Sequence, residues 1–218
     1  MSVVVIGAGG HASVVLDALI ALGVDVHGLL DADAARVGEQ VLGHPILGGD
    51  DLLPVLPGAG VTHYVVGIGS VGNTVPREMA ARAAEAAGLQ PFTVVHPMAI
   101  LSPFASLGPG TVVLPGAVVN PNVTTGPHAI INSNATIEHE AALGAFVHVA
   151  PGATVLGRVS IQERTHIGAG AVIRQGASIG KDVMVGAGAV VASDLPDEVR
   201  AVGVPARFTG GQSELPGR

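Results

Sequence analysis

Cysteine and tryptophan are absent from the 218 residues, and aromatic side chains make up only 2%. Without cysteine there is no disulfide framework, no thiolate nucleophile and no cysteine metal site. Positive charge is scarce too. Ten Lys and Arg stand against 17 Asp and Glu, and the net charge of −7 argues against general nucleic-acid binding. No apolar run approaches the length of a membrane span, and residues 1–6 begin a strand rather than a signal peptide. A cytoplasmic protein with no nucleic-acid or membrane partner is therefore expected. The charge is uneven: residues 1–157 hold 3 basic and 11 acidic side chains, net −8, whereas residues 158–218 hold 7 and 6, net +1. An anionic ligand is easier to hold in the second stretch. The length allows one or two domains with a sizeable core.

What is present is aliphatic and periodic. From Leu107, every sixth residue to Val191 is Leu, Val or Ile, except Thr125. Four residues after each of these stands Ala, Val or Thr, and finally Leu195. Neither a helix nor simple alternation produces that spacing. A short strand and a turn do, with the first and fifth positions of each hexad pointing inward. Three such units close a triangular coil of 18 residues, and the 15 hexads give about five stacked coils. A narrow prism takes Val, Ile, Leu and Ala and has little room for rings. The pattern resembles the hexapeptide-repeat acyltransferases, and the resemblance implies a left-handed parallel β-helix; crossover statistics alone would favour the right hand.

The chain ahead of the repeats reads differently. Residues 2–6 (SVVVI) suggest a buried parallel strand. Residues 12–22 carry Val14, Val15, Ala18, Leu19 and Leu22 at helical spacing, and residues 24–30 form a second strand ending at Asp31. Gly7, Gly9 and Ala12 fit the G-x-G-x-x-G/A fingerprint, with Asp31 at a suitable distance. A third strand over 61–68, a helix over 74–87 and a short strand over 91–95 complete a Rossmann-like domain, residues 1–97. Its size suits a mononucleotide or nucleotide sugar better than NAD. Asp50 and Asp51 are expected to cap a helix start or face solvent, and His44 and His63 to be structural. The second domain, residues 98–218, is the β-helix with a C-terminal tail whose last residues read as a frayed polar end.

Repeat phase sorts the candidate chemistry. Asn132, Glu138, His139 and Glu140 all fall at outward positions. A histidine beside carboxylates is held in one tautomer, as a general base requires. Gly157 lies one coil beyond His139 and is expected to leave open space beside it. His148 and His166 share one outward column a coil apart. His139 and His148 are half a coil apart, so they occupy different parts of the perimeter. If both serve one site, the second histidine most simply comes from a neighbouring copy. His128 is expected at the surface. Arg158, Arg164, Arg174, Lys181 and Arg207 are candidates to face phosphates.

At the stretch N-S-N-A-T-I-E-H-E, followed nine residues on by F-V-H-V-A and then Gly-Arg-Val, the chain resembles the nucleotide-amino-sugar N-acetyltransferases of bacterial glycan pathways. The resemblance spans essentially the whole chain, including Gly-Ala-Gly-Gly-His near the start and Val-Gly-Val-Pro-Ala-Arg after the solenoid. The three-sided prism with its histidines half a coil apart leads us to expect a homotrimer with sites between subunits. The resemblance implies an acetyl-CoA-dependent enzyme whose substrate is a nucleotide-linked amino sugar and which needs no metal. It makes His139 the general base with Glu140 beside it. It puts Asn132 and Glu138 around the sugar, and the nucleotide near Gly9, His11, Asp31 and Gly69. Acetyl-CoA contacts fall at His148, Gly157, Ile167, Gly168, Arg174, Pro205 and Arg207. Three other readings stay open. One is an O-acetyltransferase acting on a sialic acid. Another is an NAD-binding or nucleotide-sensing module with an inert solenoid scaffold. The third is a metal hydro-lyase like the γ-class carbonic anhydrases, which would need three histidines on zinc.

Overall fold

The structure is a computed structural model, described here over residues 1–211; the polar end expected to fray lies largely outside those residues. Contacts divide it into two units: Met1–Gly69 with Thr74–Pro97, and Ser70–Asn73 with the chain from Met98 onward.

The first unit is a six-stranded sheet. Its elements are β1 (Ser2–Ile6), α1 (Gly10–Ala21), β2 (Asp25–Leu30), β3 (Gln40–Val41), β4 (His44–Gly48), β5 (Val61–Val66), α2 (Val75–Ala86) and β6 (Gln90–Pro91). The strand order is β3-β4-β2-β1-β5-β6, parallel except for the β3–β4 hairpin. Val3 to Ile6 are wholly buried because β1 is central and covered on both faces. Helix α1 buries Ala12, Val15, Leu16 and Leu19, one i, i+3, i+4, i+7 stripe. Val14 and Leu22, expected on that face, are exposed, because the stripe is centred on Ala12 and Leu16 rather than on Val14. The sequence reading missed the hairpin, whose turn places Leu42 (φ 46°) and Gly43 (φ 83°) in the left-handed region that two-residue hairpin turns require. Strand β5 stops at Val66, two residues earlier than its apolar run, after which the Gly67 N–H donates to the Ile6 carbonyl at 2.8 Å.

The second unit is a left-handed parallel β-helix. Two-residue strands recur every six residues and pair with the strand 18 residues on, as in Ile130–His148–His166–Met184. Every fifth position of the hexads is buried, as is every first position except Leu107 and Thr125. Thr125 is the polar exception among the first positions, and it is satisfied. Its Oγ1 lies 3.0 Å from Thr111 Oγ1 and accepts from the Gly108 N–H at 2.9 Å. Every fourth position from Gly110 to Gly188 is left-handed, with φ between 54° and 72°. Glycine holds six of those fourteen corners, while Glu140, Arg158 and Arg164 stand at others despite the steric cost to a residue with Cβ. After the repeats, Val199–Val202 and Arg207–Gly211 form an antiparallel hairpin.

Candidate functional site

In the first unit, the carboxyl ends of β1, β2 and β5 open into a cleft of about 340 Å³, the usual ligand position in an open α/β sheet. It is lined by Gly7–His11, Leu30–Ala32, Asp50 and Gly67–Gly69, so Gly9, His11, Asp31 and Gly69 share one cavity. Gly7 has φ 103°, and a Cβ there would lie 2.9 Å from Ile68 Cγ1, so only glycine makes this turn without strain. Gly9 differs. It caps α1 with φ −81°, and a Cβ would meet nothing within 4 Å. The first turn of α1 carries no acidic residue, leaving its N-terminal amides to face an anion.

Asp31 is held in place. Its Oδ1 accepts from the Asp33 N–H at 2.9 Å and its Oδ2 from Arg36 Nη1 at 2.9 Å. The same Arg36 nitrogen donates to the Ala8 carbonyl at 3.1 Å, tying the glycine turn to Asp31. Burial, and then the charge of Arg77, push the His11 pKa down to about 4, so its imidazole is neutral at pH 7. Burial and then Asp51 raise the Asp50 carboxyl; the pair begins a 3-10 turn over Asp50–Val55. Neither Arg36 nor Arg77 stood out in the sequence, because an isolated arginine in a polar stretch carries no pattern.

In the β-helix, His139 stands on a corner, 47% exposed in its side chain. Its Nδ1 lies 3.3 Å from Glu140 Oε2. A carboxylate accepts, so in the neutral ring the proton sits on Nδ1 and Nε2 keeps its lone pair. The space beside Gly157 is not open, as had been expected, because the His139 ring fills it. A Cβ on Gly157 would lie 2.6 Å from both Nε2 and Cε1 of that ring. Glu140 Oε2 also meets Arg158 Nε at 3.4 Å.

Asn132, expected around the sugar, meets the other histidine: its Nδ2 lies 3.1 Å from His148 Nε2. His148 Nδ1 donates to the Ser70 carbonyl at 2.8 Å, so both ring nitrogens are engaged and the tautomer is fixed. His148 and His166 do share a column, with ring centroids 4.8 Å apart, but both are buried. The segment Ser70–Asn73 lies along that column, and a Cβ on Gly72 would come within 3.3 Å of Met184 Sδ. His128 is also buried rather than at the surface, stacked on Phe146 one coil away with centroids 5.0 Å apart.

Ile167 points wholly inward, so only its backbone could reach a ligand. The Gly168 N–H is taken by the Val185 carbonyl. Arg174, Pro205 and Arg207 are exposed. Arg164, a phosphate candidate, is instead clamped by Asp182 at 2.7 and 2.8 Å and by Glu163 at 2.7 Å. Among the described residues, no group of three or more His, Cys, Asp or Glu is placed to hold a metal ion. No helix among them is long and apolar enough to cross a membrane.

A glycine-turn cleft of this kind together with a β-helix of hexads defines a two-part hexapeptide transferase, and comparison with known proteins agrees for each part. The PglD N-terminal domain family matches residues 2–82, and the bacterial transferase hexapeptide family (six repeats) matches residues 158–193. No curated protein matches the chain in sequence. Among solved structures, perosamine N-acetyltransferase from Caulobacter crescentus, in a His-to-Asn variant with CoA and GDP-perosamine, is 40% identical. The match covers 96% of this chain and 97% of that one, with a TM-score of 0.90. The acetyltransferase domain of PglB from Neisseria gonorrhoeae is 36% identical over 95% and 99%, with a TM-score of 0.88. WeeI from Acinetobacter baumannii is 26% identical over 96% and 100%, with a TM-score of 0.82. The chain belongs to the hexapeptide-repeat nucleotide-amino-sugar N-acetyltransferases.

Proposed function

We propose that the protein transfers the acetyl group of acetyl-CoA to the amino group of a nucleotide-linked amino sugar, directly and with His139 as general base. The observation that carries this is the His139 site. An exposed imidazole bears its proton on the nitrogen facing Glu140, and Nε2 is left to accept one. When an amine attacks a thioester carbonyl it must lose a proton as the C–N bond forms, and Nε2 is the acceptor. The proton then leaves for solvent or the departing thiolate. Glu140 orients the ring, Gly157 supports it, and the Gly157 N–H is our candidate donor to the thioester oxygen.

The nucleotide occupies the cleft of the first unit, its phosphates at the start of α1 and its ribose toward Asp31. A neutral His11 is suited to a hydrogen bond there rather than to an ion pair. Arg174, Pro205 and Arg207 are the exposed candidates for coenzyme A. The relatives solved with CoA and GDP-perosamine and with acetyl-CoA support this substrate class. We further propose that the enzyme works as a homotrimer in the cytoplasm, with sites between subunits.

The test is thiol release from acetyl-CoA with GDP-, UDP- and dTDP-linked amino sugars. One nucleotide class should support turnover, and His139→Ala should lower kcat by about 10²-fold or more, as a lost general base does. Acetyl-CoA affinity should change little. Absence of transfer across the whole panel, or an almost unchanged rate in His139→Ala, would overturn the reading.

A further inference from the structure

We propose that Arg158 is a positioning residue of the His139 site: it holds Glu140, and through Glu140 it fixes the orientation and tautomer of the His139 ring. This rests on the reading of His139 as the base.

Three observations converge. First, Arg158 grips the turn at two points. Its side-chain Nε lies 3.4 Å from Glu140 Oε2, and its backbone N–H donates to the His139 carbonyl at 2.9 Å. One carboxylate oxygen therefore faces both the guanidinium and His139 Nδ1. Secondly, Glu140 and Arg158 occupy equivalent corners of successive coils, with φ 59° and 58°. Glycine suits such corners best on backbone grounds, and it stands at the next one in the column, Gly176. Two opposite charges placed there at a steric cost need a reason, and stability is a poor one, since the pair is more than half exposed. Thirdly, the fold offers a contrast. Arg164 and Asp182 are likewise stacked corner on corner, but as a bidentate pair with both Asp182 oxygens on the arginine at 2.7 and 2.8 Å. In the Glu140–Arg158 pair the contact is looser, and Glu140 remains shared with the imidazole.

The charged groups about His139 are Glu138 and Glu140 on its own turn and Arg158 on the next coil. Without Arg158, Glu140 is free to swing away, and the ring loses the acceptor that keeps its proton on Nδ1. A direct role for Arg158 in holding a coenzyme A phosphate predicts different kinetics.

The experiment uses Arg158→Met, Arg158→Lys, Glu140→Gln and the double variant Arg158→Met/Glu140→Gln. ¹⁵N-histidine NMR of the substrate-free protein should show His139 as the Nδ1–H tautomer in the wild type and a tautomer mixture in Arg158→Met and Glu140→Gln. This readout needs no turnover, so it stands even if the acetyltransferase reading fails. In the assay, Arg158→Met should lower kcat by roughly five- to tenfold, with both KM values within about twofold. Arg158→Lys should recover part of the loss, and the double variant should be no slower than Glu140→Gln alone, because Arg158 acts through Glu140. An unchanged tautomer in Arg158→Met overturns the proposal. So does a raised KM for acetyl-CoA with losses that add in the double variant.

Discussion

Arg77 and His11 show how one residue sets another's charge. Arg77 is only 2% exposed, and burial lowers its pKa to about 10, so at neutral pH it is a cation inside the first unit. His11, half-buried near it, titrates at about 4 instead of 6.5. In the unfolded chain His11 takes up its proton near 6.5. Between those two values the unfolded state binds more protons than the folded one, so stability falls as pH drops from 6.5 toward 4 and is complete above 6.5. The shift corresponds to up to about 3 kcal/mol. Urea unfolding at pH 7 and pH 4.5 should therefore show a smaller acid loss in His11→Asn than in the wild type. Equal losses in the two proteins would mean that other groups govern the acid limb.

At the scale of elements, the turn from β1 into α1 carries two glycines with different duties. Gly7 is required by its backbone, whereas a Cβ on Gly9 would meet nothing within 4 Å. Gly9→Leu should fold normally, because φ −81° is open to any residue. Its side chain would project into the cleft and raise KM for the sugar nucleotide by at least about tenfold, roughly 1.4 kcal/mol of binding. KM for acetyl-CoA should not move. Gly7→Ala should instead lower the melting temperature. If Gly9→Leu raises both KM values alike, nucleotide and acetyl-CoA do not occupy separate elements. The β-helix shows the complementary rule. Its coils repeat a local geometry, and the inward columns accept Thr125 where Thr111 and the Gly108 N–H stand within reach of it.

At the scale of the whole molecule, one chain presents His139 and His148 at different parts of the β-helix perimeter, and the buried His148 has both nitrogens occupied by Ser70 and Asn132. The homotrimer we propose would bring the second histidine from a neighbouring copy. One broad sheet face also carries Ile100, Val118, Thr136, Thr154, Val172 and Val190 in a single outward row without a charge. Light scattering at assay concentration should give a mass three times that of the 21.5 kDa chain. An active monomer would refute the shared site.

The hexad phase, and with it the inward set from Thr111 to Leu195, follows from the sequence alone, because strand, turn and alternation are all settled within six residues. His139 and Glu140 were legible for the same reason: they are neighbours in sequence and outward by phase. So was the Gly7–Gly9 turn, since strand, glycines and helix start are contiguous. The sequence could not say which outward residues would be covered. His128, His148 and His166 all read as exposed and all are buried, because their covers are Phe146 for the first and the segment Ser70–Asn73 over the column of the other two. The contact of Asn132 with His148, 16 residues on, was not legible either, because it joins neighbouring coils. Arg36 and Arg77 act on Asp31 and His11 from other elements. Local periodicity determined what faces the core; only tertiary packing decided what the outward side chains meet, because those contacts join residues that no repeat relates.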